Sequence, residues 1–302
     1  MKDKTVILIV GPTAVGKTAA ALGLAESLHT RIISADSRQC YRELNIGVAR
    51  PSPEELRIVP HYFIASHSIL EEVTAAGFEQ LALQWTHELF AGGQDHPGGR
   101  DEVVMVGGTG LYIQAFCEGL DAIPAIDGDL RIRVRQQYQQ EGMNWLQRQV
   151  QETDPEFYAN GETQNPQRLM RALEVRLSTG RSILSFRTRQ KKERPFKIRK
   201  IGMQLSKEEL HRRIHERVDR MMENGLLEEV RGLLPYRDRH ALHTVGYTEL
   251  FAHLDGTLSL EEAVDAIKKN TRHYAKRQMT WFKKDDDIQW IDAKNNLRII
   301  LP

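Results

Sequence analysis

The first patterned stretch of the chain is an unbroken apolar run, TVILIV (Thr5–Val10). Short, β-branched and closed by Gly-Pro, it predicts a buried strand. KTAAALGLAESLH, from Lys17, is rich in alanine and leucine at helical spacing. RIISADS (Arg31–Ser37) predicts a second strand ending in polar residues, and EVVMVGGTG (Glu102–Gly110) another that closes on glycines. Strands alternating with helices imply a parallel sheet covered on both faces, with ligand sites at the carboxyl ends of the strands. Gly11, Asp36 and Thr109 all fall at such ends.

From about Asp121 the pattern turns to long polar helices, LRIRVRQQYQQEG, NWLQRQVQ and PQRLMRALEVRLSTG. The β pattern returns at FKIRKIGMQL (Phe196–Leu205), so 121–195 is expected to be a helical insertion in a core formed by 1–120 and 196–302. The rest is helical over Ser206–Gly225 and Ser259–Lys284, ending in a short strand-like IQWI. The glycine-rich AGGQDHPGGRD (Ala91–Asp101) is expected to be a surface excursion.

Composition narrows the class. Of 302 residues, 40% are hydrophobic and 27% charged, ordinary values for a globular protein. No apolar stretch approaches the roughly 20 residues that span a bilayer. The first apolar run is too short for a signal-peptide core, so a cytoplasmic protein without a membrane partner is expected. Two cysteines, Cys40 and Cys117, without ligand spacing encode neither a disulfide framework nor a zinc site. Net charge is +1 but uneven: Arg168–Arg220 holds 17 Lys/Arg against 6 Asp/Glu, a basic block on a mildly acidic body.

The strongest chemical signal is GPTAVGKT (Gly11, Pro12, Thr13, Ala14, Val15, Gly16, Lys17, Thr18), the full G-x-x-x-x-G-K-[ST] pattern between a predicted strand and a predicted helix. Its backbone N–H groups and helix N-terminus make an anion cradle, Lys17 adds a positive charge, and the Thr18 hydroxyl can ligate magnesium. The implied fold is α/β, a P-loop-type parallel sheet flanked by helices, with a helical insertion domain. Nucleotide-binding, and ATP in particular, is the usual reading of such a loop. Yet the strand VVMV ends in GGTG, without the aspartate that commonly helps an NTPase hold magnesium.

Other residues leave alternatives open. Asp36, beside the cradle, suits a general base or a magnesium partner, and equally a turn or N-cap aspartate. In HRRIHERVDR, Arg213, Arg217 and Arg220 occupy adjacent faces of one helix, where they face either a departing phosphate or solvent, paired with Glu216 and Asp219. TRHYAKRQMTWFKK (Thr271–Lys284) interleaves basic residues with Tyr274, Trp281 and Phe282, which suits a nucleic-acid backbone or a core edge. The basic block and this helix together favour an RNA or DNA partner.

These stretches, with ISADSRQCYRELNIGVARP, VGGTGLYIQAFCEGL, NPQRLMRALEVRLSTGRS, TVGYTEL and AKRQMTWFKK, occur in the order found in bacterial tRNA dimethylallyltransferases, also called tRNA isopentenyltransferases. The resemblance runs from Val6 to about Lys284. It implies transfer of a dimethylallyl group from dimethylallyl diphosphate to the exocyclic amine of the adenosine 3′ of the anticodon, with Mg2+ and a tRNA anticodon stem-loop as partner. Matched motif by motif, it implies that Gly11–Thr18 cradle the diphosphate, with Thr18 on the magnesium side. Asp36 resembles the general base, Ser37, Arg38 and Gln39 the contacts around the flipped base, and Thr109 an adenosine contact. Arg131 and Gln167, Arg168, Leu169, Met170 and Arg171 resemble tRNA-contacting positions. Arg217 is the choice for the diphosphate-facing arginine, with Arg213 its rival, and a monomer is expected. Cys40 stands where an aliphatic residue is commoner, and VPHYFIASHSI departs from the usual PHHLID. An adenylate isopentenyltransferase, a P-loop small-molecule kinase and a non-catalytic RNA-binding module are the competing readings.

Overall fold

The computed structural model describes residues 4–92, 99–188 and 190–294. Six parallel strands form one sheet: β1 (Thr5–Val10), β2 (Ile32–Ala35), β3 (His61–Tyr62), β4 (Glu102–Gly107), β5 (Lys197–Gln204) and β6 (Gln289–Asp292), in the spatial order β3-β2-β4-β1-β5-β6. The expected P-loop-type α/β sheet is present. Helices flank it: α1 (Lys17–Ser27), α2 (Pro53–Ile58), α3 (Ala75–Ala91) and α4 (Gly110–Glu118) precede the polar helices α5 (Gly128–Thr153), α6 (Pro155–Asn160) and α7 (Pro166–Thr179). After β5 come α8 (Lys207–Glu223), α9 (Leu226–Gly232), α10 (Tyr247–Leu254) and α11 (Leu260–Phe282). Residues 93–98 of the glycine-rich excursion lie outside the described residues.

β1 is central because it is apolar on both sides. Val6, Leu8 and Val10 enter one core with Val103, Met105, Phe78 and Phe116, while Ile7 and Ile9 enter another with Ala20, Leu24, Val104 and Ile201. Successive strand residues point to opposite faces, so a strand covered on both sides reads as a continuous apolar run. Thr5 pairs with Glu102 of β4 and with Lys197 of β5, and the register holds to Val10 opposite Gly107 and Gly202. From β1 the chain crosses to β2 on one side, and from β4 to β5 on the other. The two crossovers leave the neighbouring strands β1 and β4 in opposite directions, the kind of switch point where open α/β sheets place ligands.

Two compact units result, Met1–Cys117 with Glu193–Pro302, and Glu118–Lys192. The second is helical around its own core, including Val134, Leu146, Val150, Phe157, Leu169 and Leu173. Its α5 is broken at Gly142 (φ 76°), which separates the two polar helical patterns seen in the sequence. Its ends meet: the Lys192 N–H donates to the Glu118 carbonyl at 2.8 Å.

In the sheet unit, Arg194 ties the chain down just before β5. Its Nε donates to the Phe116 carbonyl at 2.7 Å and its Nη2 to the Ala115 carbonyl and to Glu79 Oε1, both at 2.8 Å. The pair is about nine-tenths buried on both sides. Removing one partner of a buried ion pair costs about 3–5 kcal/mol, because the other keeps its desolvation penalty. Arg194→Ala is expected to lower unfolding stability by that order in chemical denaturation; a midpoint unchanged from wild type would refute it.

Among the described residues no helix is long and apolar enough to cross a membrane.

Candidate active site

The phosphate loop is built by backbone conformation. Gly11 has φ 145°, and a Cβ there would lie 2.5 Å from the Met203 carbonyl oxygen, so only glycine lets the loop leave β1 this close to β5. Ala14 (φ 64°) and Gly16 (φ 106°) then turn the chain into α1. No side chain caps α1 at Gly16, which leaves its first-turn N–H groups for an anion. Lys17 Nζ lies 2.7 Å from the Pro12 carbonyl. Burial, reinforced by the Arg217 cation and partly offset by Asp36, holds its pKa down at about 7.

Asp36 stands immediately after β2. Its Oδ1 accepts the backbone N–H groups of Arg38 (2.9 Å) and Gln39 (3.2 Å), so the turn role is real. It also lines the same cavity as Lys17 and Thr18. The Ser37 N–H donates to Thr109 Oγ1 at 3.0 Å, and the Thr109 hydroxyl donates to Ser37 Oγ at 3.3 Å, joining the ends of β2 and β4. Gln39 Nε2 donates to the carbonyls of Val48 (3.2 Å) and Ala49 (2.9 Å). Cys40 beneath is fully buried, its thiol pushed up to about 12 by burial first and Asp36 second, and is inert packing.

The cavity, of about 300 Å³, is lined further by residues of later helices, α8 and α11 among them. From α8, Arg217 Nη1 donates to Thr13 Oγ1 at 3.0 Å; burial pulls the Arg217 pKa down, and Asp36 opposes that shift. Arg213 is held by Glu209 at 2.8 Å and only grazes the Val15 carbonyl at 3.4 Å, while Arg220 is exposed. Of the three arginines, Arg217 lines the cavity. From α11, Ile267, Thr271, Tyr274 and Gln278 line it at spacings of four, three and four, one face of a helix.

Gln278 is a cavity-lining residue that the sequence reading missed. Buried, it accepts the Thr13 N–H at 2.8 Å and donates to the Gly108 carbonyl at 2.9 Å, bridging the loops after β1 and β4. Its signal in the sequence was that helical stripe, hidden among the basic residues of α11. Lys276, Arg277, Lys283 and Lys284 are exposed, Phe282 is core, and Trp281, 38% exposed, packs against Gly110.

The family model for IPP transferase matches residues 39–285 of this chain. The chain belongs to the IPP transferase family. The phosphate loop and Asp36 lie just before that match. Among relatives, tRNA dimethylallyltransferase 1 of Bacteroides thetaiotaomicron is 46% identical over 98% of this chain and 94% of its own length. The tRNA dimethylallyltransferase of Cytophaga hutchinsonii is also 46% identical, over 95% of this chain and 92% of its own. The crystal structure of full-length tRNA isopentenylpyrophosphate transferase from Bacillus halodurans has a TM-score of 0.70 at 34% identity, covering 98% of this chain and 94% of that one.

In this IPP transferase the remaining expected site residues lie in the helical unit, described by itself. Gln167 and Arg168 are exposed on the first turn of α7, capped by Asn165. Arg131 and Arg171 flank Glu174 at 3.8 and 3.6 Å. Leu169 and Met170 are 0% and 6% exposed, their side chains packed in the core of this unit.

Proposed function

We propose that this family member transfers a dimethylallyl group from dimethylallyl diphosphate to the exocyclic amine of the adenosine 3′ of the anticodon in tRNA. One observation carries the reading. A single cavity holds a phosphate cradle (Gly16, Lys17, Thr18), a carboxylate (Asp36) and an apolar wall (Val218, Leu226, Ile267). These are the three environments that a diphosphate leaving group, an amine losing a proton and a branched five-carbon chain require. The relatives' names, tRNA dimethylallyltransferase, support the same reaction.

The amine nitrogen forms a bond to the allylic carbon as the carbon–oxygen bond to diphosphate breaks. An adenine amine is a poor nucleophile, so a base that takes its proton as the new bond forms is useful. The turn engages Asp36 Oδ1, and Oδ2 is the oxygen assigned to that proton. Positive charge on the departing allyl group and negative charge on the diphosphate develop together. The N-terminal amides of α1, Lys17 and Arg217 stabilise the latter. The base has to leave its stack to reach the cavity, as is general for chemistry on a nucleobase. Ser37, Arg38, Gln39 and Thr109 are assigned to the acceptor side, and Gln167, Arg168, Arg131 and Arg171 to the RNA backbone.

The donor set fits Mg2+. The Thr18 hydroxyl and the Asp36 carboxylate are hard oxygen ligands, and no group of three or more His, Cys, Asp or Glu able to hold a metal occurs among the described residues. Such sparse protein ligation suits an ion that keeps waters and takes other ligands from substrate phosphates. When bound it supplies neutralisation of the leaving diphosphate.

The test is direct. Purified protein is incubated with unmodified tRNA, magnesium and either dimethylallyl diphosphate or ATP, and the nucleosides are analysed by mass. A dimethylallyl adduct on adenosine with the prenyl donor, and none with ATP, is expected. No adduct would sink the reading.

A further inference from the structure

One wall of the cavity is a short segment, 45–49, of which Gly47, Val48 and Ala49 are lining residues. Three groups hold it in place. Glu229, on α9, accepts the Ile46 N–H at 2.8 Å through Oε2 and the Gly47 N–H at 3.1 Å through Oε1. The Tyr247 hydroxyl donates to the same Oε1 at 2.6 Å. At the far end Gln39 grips the Val48 and Ala49 carbonyls, and Ala49 sits at φ 47°, a conformation a non-glycine residue keeps only when its surroundings hold it.

Tyr247 is completely buried, and a Cβ at Gly47 would lie 2.6–2.8 Å from its ring carbons and hydroxyl oxygen. The segment therefore lies directly on that ring. Burial, then the Glu229 carboxylate, pushes the Tyr247 hydroxyl far above its usual range, so it remains a donor. One helical turn before Glu229, Leu226 is itself a lining residue and fully buried. Helix α9 thus supplies both a piece of the apolar wall and the hook that fixes the segment facing the same cavity. Val218, Leu226 and Ile267 are members of the main core, at most 2% exposed, so this part of the wall is backed by packed side chains. Close-packed interiors do not yield to extra methylenes.

We propose that Glu229, through the Ile46–Gly47 backbone and the Tyr247 hydroxyl, is a positioning residue that sets the length of isoprenoid chain the cavity accepts. This rests on the prenyl-transfer reading above. Glu229 itself is assigned no contact with the reacting atoms. It acts by holding the segment 45–49 at a fixed distance from the core wall, which limits the space to a five-carbon group.

The test uses wild type, Glu229→Gln and Tyr247→Phe with unmodified tRNA and either dimethylallyl or geranyl diphosphate, with kcat and KM measured separately and thermal midpoints alongside. Both changes are close to isosteric. In each, KM for dimethylallyl diphosphate is expected to rise about tenfold with kcat within about threefold, and the preference for the five-carbon donor to fall about tenfold or more. Gly47→Ala, which forces the segment off the Tyr247 ring without altering Glu229, is expected to relax the preference in the same way. A lowered thermal midpoint with KM and preference unmoved means a merely structural staple and overturns the inference, as does wild-type preference in all three variants. In either of those results the transfer reading survives. No adduct from the wild type with either donor overturns the transfer reading, and this inference with it.

Discussion

An Asp36→Asn enzyme is expected to bind tRNA with wild-type affinity and to lose about 10²–10⁴ in kcat. The separation of binding from chemistry follows from the two roles of this carboxylate. An asparagine Oδ1 can still accept the Arg38 and Gln39 N–H groups that shape the turn after β2. Its amide cannot take the proton from an adenine amine. Single-turnover prenylation beside a gel-shift titration of tRNA measures both quantities. A kcat within tenfold of wild type would place the base elsewhere. Asp36→Ala removes the turn as well, so it should weaken tRNA binding in addition, and the difference between the variants isolates the turn.

Replacing Lys17 by Met is expected to lower kcat/KM for the prenyl diphosphate by about 10²–10³, the loss of one cation from the stabilisation of developing charge. The pH dependence gives a sharper signature. With its pKa held at about 7 by burial and Arg217, Lys17 is charged below that pH in the free protein and increasingly neutral above it. A bound diphosphate favours the charged form, so above pH 7 binding must take up a proton. KM for the diphosphate should therefore rise with pH above about 7, and calorimetry in buffers of different ionisation enthalpy should record proton uptake. Both effects should vanish in Lys17→Met. A KM flat with pH in the wild type would mean that the ammonium is already charged in the free site.

Much of the fold was legible because of where it is buried. β1 and β4 lie inside the sheet, covered on both faces, and their apolar runs need no periodicity to be read. α8 and α11 begin at serines whose hydroxyls accept an N–H three residues on, a signal carried by the sequence alone. β3, by contrast, is two residues long and leaves no pattern. α3, whose Thr74 cap and buried Phe78, Ala82 and Leu89 are clear in the structure, had not been assigned at all.

In the site, the cradle was legible because its backbone conformation demands its residue types. The choice among the arginines of α8 was not, since spacing sets only their faces. Glu209 draws Arg213 aside within α8, and Thr13, some 200 positions away in the chain, receives Arg217. Gln278 was missed for the same reason: its role is a bridge between two loops that meet only once the sheet has formed. The inward packing of Leu169 and Met170 was not legible either, because a motif does not say which of its side chains face the core.

The hydrogen bond from Lys192 to the Glu118 carbonyl has a consequence for the modularity of the chain. The helical unit departs and returns through two backbones in contact, so its whole length is a detour that the sheet does not need for closure. A two- or three-residue turn could bridge the same gap without disturbing the register of β5 against β1. Every residue that lines the cavity, the phosphate cradle included, belongs to the sheet unit, so one excision would remove the helical unit and leave the whole lining in the remaining chain.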